Sequence, residues 1–406
     1  MNIFLISHYA GSPEMGMEYR PYYLAKEWIN LGHDVTILVA THSHIRKYNP
    51  EIQQDMEEEI VGGIRYIWVK TPKYSGNGIG RIKNMFAFIQ KTLYKASYFV
   101  KTYKPDVIIA SSTYPSDNYV ARKMAKLSGA KYIYEVHDLW PLSPMELGGM
   151  SRYHPFIVAM QHAENFAYRK ADAVVSMLPK TQEHMRKHGL DLKKWHYIPN
   201  GVILDEWENR VELNSKIKSE IQKIKSRFNK IVAYTGTLGL ANALDSFVLS
   251  AKKIIDIAFV IVGKGPEWEN LENLIKKENI QNVFIFESVN KQEIPALLDE
   301  FDYLYIGLQY QALFRFGISP NKLIDYMMSG KPVIQAVKAG NNVVKEVGCG
   351  IDIEPENPKA IAEAIKILSS MPVTELKKMG ENGKNFVSKN HDYKVLAQRF
   401  IDVFNT

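Results

Sequence analysis

The stretch of residues 315–332 constrains what this chain can fold into more than any other part of it. It follows residues 302–308, a short apolar run with the length of a buried strand. Ser319 suits a helix N-cap, Pro320 suits the first helical position and Gly330 suits the residue after the last turn. The stretch therefore predicts a strand, a turn and a helix of about three turns.

The start of that helix has the chemistry of an anion site. Its first N–H groups have no partner within the helix and lie at the positive end of the helix dipole, which favours a phosphate. Asn321 and Lys322 stand in the first turn, and the carboxylate of Asp325, one turn further, suits a sugar diol. A phosphate beside a diol describes a nucleotide sugar. The same residues also suit an ordinary amphipathic helix, and the stretch alone leaves both interpretations open.

A resemblance to a known family adds to this reading. Residues 317–332, Gly-Ile-Ser-Pro-Asn-Lys-Leu-Ile-Asp-Tyr-Met-Met-Ser-Gly-Lys-Pro, resemble the donor-binding helix of the family-4 retaining glycosyltransferases. Within that family they are most similar to bacterial O-antigen and capsule enzymes, particularly the group described as L-fucosamine transferases. The usual pattern has two glutamates eight residues apart, and this chain has Gly317 and Asp325 at those positions.

The resemblance implies a reaction and its partners. The donor would be a UDP-linked N-acetylated or 6-deoxy amino sugar, and the acceptor a lipid-linked oligosaccharide of bacterial surface polysaccharide synthesis. No metal or other cofactor is implied. The family is proposed to use front-face attack, in which the leaving phosphate takes the proton of the acceptor.

Alternating strand and helix patterns predict an α/β chain of two domains. A length of 406 residues suits two domains of roughly 200 residues each. The family has the GT-B fold, two Rossmann-like domains facing across a cleft. We therefore expect an acceptor-side domain at 1–200, a donor domain at 201–385 and a last helix at 386–406 that returns to the first domain. Residues 199–202, Pro-Asn-Gly-Val, are the expected hinge.

The first half offers two places for donor contacts. A strand at 2–7, a helix at 17–31 and a strand at 34–40 open a doubly wound sheet. Gly16, just before the helix, matches the family glycine that lets the donor phosphate approach, and Arg20 lies within reach of the same anion. His137 directly follows a predicted strand at 131–136, where open α/β sheets bind their ligands, and the resemblance implies that it contacts the donor sugar.

The second half holds the remaining predicted donor contacts. Many family members carry an arginine and a lysine near the turn at Gly236, but Thr237 and Asn242 stand near those places here. The charge that neutralises the diphosphate is therefore expected from Lys264, Arg315 or Lys322. The predicted catalytic residues are His137, Lys322 and Asp325, and the predicted donor contacts are Gly16, Arg20, Gly236, Lys264, Glu267, Arg315, Ser319, Pro320 and Asn321.

Charge and cysteine content set the expected surroundings. The net charge of +7 favours acidic partners such as a nucleotide or an anionic membrane, and no nucleic-acid partner is expected. Residues 81–104 hold six basic and no acidic residues among aromatics, which suits either a membrane-docking helix or a crossover helix with a solvated basic face. The single cysteine, Cys349, indicates a reducing compartment. A cytoplasmic protein, peripheral on the inner face of the plasma membrane, is expected.

Several other chemistries lack their motifs. We find no phosphate-binding Gly-x-x-x-x-Gly-Lys-Ser/Thr, no dinucleotide Gly-x-Gly-x-x-Gly after a strand and no Asp-x-Asp. His184 and His188 lie four residues apart on a predicted helix without the glutamate of a zinc protease, which favours solvated histidines. Two alternatives stay open, a Rossmann-type nucleotide-sugar oxidoreductase or epimerase, and a nucleotide-sugar-binding protein without catalysis.

Overall fold

The computed structural model describes residues 1–16, 19–76 and 78–406. The chain forms two compact units. The first consists of Met1–Pro199 with Tyr393–Thr406, and the second of Asn200–Asp392. The sequence places the corresponding bounds at 200 and 386. Across the described residues, no helix has both the length and the apolar character needed to cross a bilayer.

The first unit contains a sheet of eight strands among its described residues, in the order β3-β4-β2-β1-β5-β6-β7-β8. All neighbours pair in parallel except β3 and β4. The strands are β1 Asn2–Ile6, β2 Asp34–Ala40, β3 Glu57–Val61, β4 Ile64–Val69, β5 Val107–Ala110, β6 Lys131–Val136, β7 Ala173–Ser176 and β8 Trp195–Tyr197. The helices of its first 199 residues are α1 Arg20–Asn30, α2 Ile79–Tyr103, α3 Asn118–Ser128, α4 Leu142–Glu146, α5 Pro155–Lys170 and α6 Gln182–Lys187.

Burial on both faces explains the central strands of this sheet. Ile3 to Ile6 in β1 are at most 1% exposed, which is why the strand reads as a continuous apolar run. The strands predicted at 34–40 and 131–136 are confirmed at both ends. Sequence reasoning missed β3 because its residues Glu-Glu-Glu-Ile-Val are mostly exposed at the sheet edge and carry no buried-strand pattern.

The second unit has a six-stranded sheet within the part of the chain that the structure describes. Its order is β11-β10-β9-β12-β13-β14 and every neighbouring pair is parallel. The strands are β9 Ile231–Thr237, β10 Ala258–Lys264, β11 Val283–Phe286, β12 Tyr303–Gly307, β13 Val333–Ala336 and β14 Gly350–Asp352. The helices are α7 Leu204–Glu208, α8 Ser215–Lys225, α9 Leu244–Ser250, α10 Trp268–Lys277, α11 Ile294–Asp299, α12 Asn321–Met328, α13 Val343–Val347, α14 Pro358–Ser370 and α15 Val373–Asn390.

The last helix, α16 at Tyr393–Asn405, belongs to the first unit and packs on α1. The rings of Trp28 and Phe400 lie 5.4 Å apart, and Trp28 Nε1 donates a hydrogen bond to the carbonyl of Ala397 at 3.3 Å. The sequence predicts the start of α1 at residue 17, but residues 17 and 18 lie outside the described part, and α1 begins at Arg20. Asn77, in the predicted glycine-rich turn, also lies outside it.

Candidate active site

Helix α12 follows β12, as the sequence predicts, but it starts one residue later and is shorter. Pro320 is the N-cap residue rather than the first helical residue, and the helix has eight residues, about two turns. Ser319 does not cap it, because no side chain caps this helix and the Ser319 hydroxyl accepts a hydrogen bond from the Asn200 N–H at 3.1 Å. Gly330 follows the helix with φ +72°, which confirms its predicted place.

The loop before α12 is held by two asparagines that the sequence did not single out. Asn200 Nδ2 donates to the Ser319 carbonyl at 2.8 Å. The Asn341 side chain accepts from the Ile318 N–H at 2.8 Å and donates to the Ile318 carbonyl at 3.0 Å. Gly317 has φ +99°, a conformation that side-chain-bearing residues rarely adopt, so the backbone itself favours glycine where the family has an acid.

Lys322 lies at the centre of this region, against the turn that follows β9. Its Nζ is 2.6 Å from the hydroxyl of Tyr234, 2.9 Å from Asn242 Oδ1 and 4.3 Å from the centre of the Tyr234 ring. A Cβ on Gly236 would lie 3.2 Å from this Nζ, so the glycine leaves space for the ammonium group. Burial lowers the pKa of Lys322 to about 7. The neutral amine of Lys322 can therefore gain a proton when an anion binds.

The turn after β9 and the turn after β10, which hold predicted donor contacts, are joined by backbone hydrogen bonds. The Leu238 N–H donates to the Lys264 carbonyl, and the Glu267 N–H donates to the Leu238 carbonyl, both at 3.0 Å. The side chain of Lys264 is exposed, while Glu267 accepts a hydrogen bond from Asn270 at 3.1 Å. Both residues border the Gly236 turn, and their predicted contacts with the donor stay predictions.

Arg315 is exposed and sits just before the α12 loop. Its guanidinium lies 4.4 Å from the centre of the Phe316 ring, and its Nη1 donates to the Ala312 carbonyl at 2.6 Å. These contacts orient the side chain locally. The contribution of its charge to the donor site stays a prediction.

Asp325 is buried and already has a cationic partner. Both of its carboxylate oxygens lie 2.9 Å from Lys291 Nζ, and Asp325 is 8% exposed. Lys291 lies in the segment between β11 and α11. A ribose at Asp325 would therefore meet a lysine–carboxylate pair rather than a lone acid. The sequence does not reveal this ion pair, because Lys291 and Asp325 are 34 positions apart.

His137 directly follows β6 in the first unit, as predicted. Its Nε2 lies 2.9 Å from the Ser111 hydroxyl and 3.3 Å from Glu135 Oε2. Burial raises the pKa of the Glu135 carboxyl, but Arg20 and the hydrogen bonds from His137 and Ser111 outweigh burial, so the pKa lies well below its usual value. Glu135 is therefore ionised and orients the imidazole.

Arg20, which is predicted to contact the donor phosphate, is buried in the first unit, and that contact stays a prediction. The guanidinium is 1% exposed, with Nε 2.9 Å from Glu135 Oε1. Its two terminal nitrogens donate to the carbonyls of Ile198, at 2.9 Å, and Pro199. Because the N–H groups of Arg20 already bond to acceptors inside the first unit, this residue has a structural role. Gly16, with φ +69° and Lys47 beside it, is compatible with its predicted role, which stays a prediction.

Comparison with known proteins agrees with this architecture. Residues 15–201 match the family described as "Glycosyl transferase 4-like domain", and residues 216–386 match "Glycosyl transferases group 1". A relative from Methanocaldococcus jannaschii, "Uncharacterized glycosyltransferase MJ1069", is 25% identical over 246 residues, which cover 58% of this chain and 59% of the relative. The chain thus spans about three fifths of the length of that relative.

Two solved structures share the fold over nearly the whole chain. Alr3699/HepE of Anabaena, in complex with UDP and glucose, has a TM-score of 0.68 at 15% identity and covers 100% of both chains. WaaG, described as a glycosyltransferase involved in lipopolysaccharide biosynthesis, has a TM-score of 0.66 at 16% identity and covers 99% of both. With two Rossmann-like units, and both family matches in chain order, this chain belongs to the glycosyltransferases of the GT-B fold, with a 4-like domain followed by a group 1 domain.

Proposed function

We propose that the second unit binds a UDP-sugar, with the diphosphate at the start of α12 and the ribose at Asp325. The single observation that carries this proposal is the setting of Lys322. Within the described residues its hydrogen-bond partners are a phenol and an amide, so no carboxylate neutralises the ammonium. A partly buried cation without an anion, next to the N–H groups that open α12, suits a diphosphate. The UDP bound to the Anabaena structure supports the choice of nucleotide.

The same geometry supports a transfer reaction. When the bond between the sugar and the diphosphate breaks, negative charge grows on the leaving group, and a fixed ammonium and backbone N–H dipoles stabilise it. This electrostatic role requires that Lys322 be protonated in the bound state. We infer that the transfer retains the configuration of the sugar and needs no metal, with His137 as a contact of the donor sugar.

The finer assignment concerns the two substrates. We propose an N-acetylated or 6-deoxy amino sugar as the transferred group and a lipid-linked oligosaccharide of bacterial surface polysaccharide synthesis as the acceptor. Support comes from the resemblance of residues 317–332 to O-antigen enzymes and from the structural similarity to a protein of lipopolysaccharide biosynthesis.

A panel of UDP-, GDP- and dTDP-sugars tests the proposal. We expect a UDP-sugar to raise the melting temperature most and to be transferred to a lipid-diphosphate acceptor. Asp325→Ala should lower kcat/KM for that donor by at least about tenfold, because it removes the ribose contact and the ion pair between Asp325 and Lys291.

The control for this variant is Glu183→Ala, which removes an exposed carboxylate paired with Arg186 in the first unit. Its kcat/KM should match that of the unchanged protein. A UDP-sugar that binds but is never transferred would favour the non-catalytic alternative. Stabilisation by bound NAD, with no effect of any nucleotide sugar, would favour the oxidoreductase.

We also propose that one face of α2 rests on an anionic membrane surface. Phe86, Tyr94 and Tyr98 are 67%, 81% and 50% exposed, and Lys83, Lys95 and Lys101 are exposed on the same helix. The face is smaller than the sequence suggests. Phe88 and Phe99 are fully buried, and Lys91 forms an ion pair with Asp55 at 2.6 Å.

Vesicle binding tests this face. Replacing Lys83, Lys95 and Lys101 by glutamine should weaken binding to anionic vesicles by at least about tenfold, since each lysine near such a surface contributes about 1 kcal/mol before screening. Lys216→Gln, Lys218→Gln and Lys223→Gln, on the exposed helix α8, form the matched control. Equal vesicle binding by both triple variants would exclude the α2 face.

A further inference from the structure

Three potential metal ligands meet in the first unit. Glu164 lies on α5, His184 on α6, and His188 directly follows α6. One ligand atom of each residue lies within 4.8 Å of those of the other two. The sequence favours solvated histidines here. That expectation is wrong, because His184 and His188 are both partly buried and the His184 side chain is only 11% exposed.

Glu164 gives this cluster its charge. Its side chain is 1% exposed, and its hydrogen-bond partners among the described residues are Gln161, Tyr168 and His184. No lysine or arginine of the described chain pairs with it. A buried carboxylate is costly unless a positive charge compensates it. A cation held between the three ligands would supply that charge.

The geometry suits a cation. His184 Nε2 and Glu164 Oε1 are 3.2 Å apart. In a tetrahedral site with metal bonds of about 2.0–2.1 Å, neighbouring ligand atoms are about 3.3 Å apart. The same distance also fits a hydrogen bond, so the third ligand decides between the two interpretations.

One arrangement of the hydrogen bonds around His188 leaves a lone pair on a ring nitrogen. The Gln161 amide nitrogen lies 2.7 Å from Glu164 Oε2, 2.9 Å from Asn165 Oδ1 and 2.9 Å from His188 Nδ1, but it has only two hydrogens. If they go to the two oxygens, His188 Nδ1–H donates to Asn165 Oδ1, which is 2.9 Å away. Nε2 of His188 then keeps its lone pair. A second-shell oxygen on the other ring nitrogen is the usual partner of a metal-bound histidine.

We propose that Glu164, His184 and His188 bind one divalent transition-metal ion, with Zn²⁺ as the preferred class. Two imidazoles and one carboxylate form a donor set that zinc accepts, and a water would complete the tetrahedron on the partly exposed side. The ion would link α5 to α6, and both helices lie in the first unit.

Zinc titration of the full chain, purified without a histidine tag and treated with a chelator, tests the site. We expect one equivalent of Zn²⁺ to bind and to raise the melting temperature by about 5 °C at a hundredfold excess over its Kd. Co²⁺ in its place should show the visible absorption of a tetrahedral complex. His184→Gln and His188→Gln should each weaken zinc binding by at least about a hundredfold, more than the usual effect of losing a second-shell partner.

The matched control is the double variant His42→Gln and His44→Gln, which removes two histidines of the first unit that bond to Tyr74. It should bind zinc as the unchanged protein does. Because both histidine variants of the site spare the buried Glu164, a folding defect is not expected from them. Zinc affinity that is absent, or unaltered in His184→Gln and His188→Gln, would overturn the proposal and leave a hydrogen-bonded cluster without a metal.

Discussion

Replacing Lys322 by methionine is expected to lower kcat/KM for the sugar donor by about 10²–10³-fold, the range typical of losing one well-placed electrostatic contact to a developing anion. The side chain of methionine keeps most of the packing against Tyr234 but removes the ammonium. Steady-state transfer kinetics measure the effect, and the loss should appear in kcat as well as in KM. A variant with unchanged kcat/KM would remove the assignment of the diphosphate to α12.

The pH dependence of donor binding gives an independent measure of the same residue. Burial lowers the pKa of Lys322 to about 7 in the donor-free protein, and the diphosphate binds its protonated form. The Kd for UDP should therefore rise about tenfold per pH unit above pH 7, until the pKa of the bound state is reached. Calorimetric titration between pH 6 and 9 measures this slope.

Folding stability should follow the opposite trend. The unfolded chain keeps a proton on Lys322 up to its ordinary pKa of about 10.5, so between pH 7 and 10.5 the unfolded state binds more protons and this residue's contribution to stability rises with pH.

For the pH dependence of UDP affinity, Lys322→Arg is the control, since a guanidinium stays charged and should flatten the slope of UDP affinity. A flat slope in the unchanged protein would contradict the pKa assignment.

Replacing Arg20 by methionine is expected to cause the largest loss of stability among single substitutions in the first unit. The change leaves the Glu135 carboxylate buried without its ion-pair partner and frees two backbone carbonyls. Breaking such a buried pair costs about 3–5 kcal/mol, which corresponds to a decrease in melting temperature of roughly 6–15 °C for a unit of this size. Scanning calorimetry measures the transition of each unit.

Two further variants distinguish the effect of losing the ion pair from a general loss of stability. Arg20→Met combined with Glu135→Gln should recover part of the loss, because no unpaired charge remains buried. Arg186→Met, at the exposed pair with Glu183, should change the melting temperature little. The folded Arg20→Met protein should bind UDP within about twofold of the unchanged protein. A tenfold loss of UDP affinity would instead restore the predicted phosphate contact.

The local pattern of the chain was sufficient to predict most of the fold. Parallel strands buried on both faces are continuous apolar runs, and glycine and proline mark the turns beside them, so β2 and β6 agree with the sequence at both ends. The start of α12 was missed by one residue because Ser319 is recruited by Asn200, 119 residues earlier in the chain. A local capping rule does not include such a competitor.

The sequence by itself determined the α/β class, the position of helix α12 after β12 and the glycosyltransferase family. Only the tertiary structure decided which charges are available there. In the folded chain Arg20 is buried against Glu135, Lys291 pairs with Asp325, and Lys322 lies between a phenol and an amide. Hydrophobic pattern and turn chemistry act between near neighbours in sequence, whereas burial and ion pairing join residues 34 to 115 positions apart, and those contacts set the charge of each group.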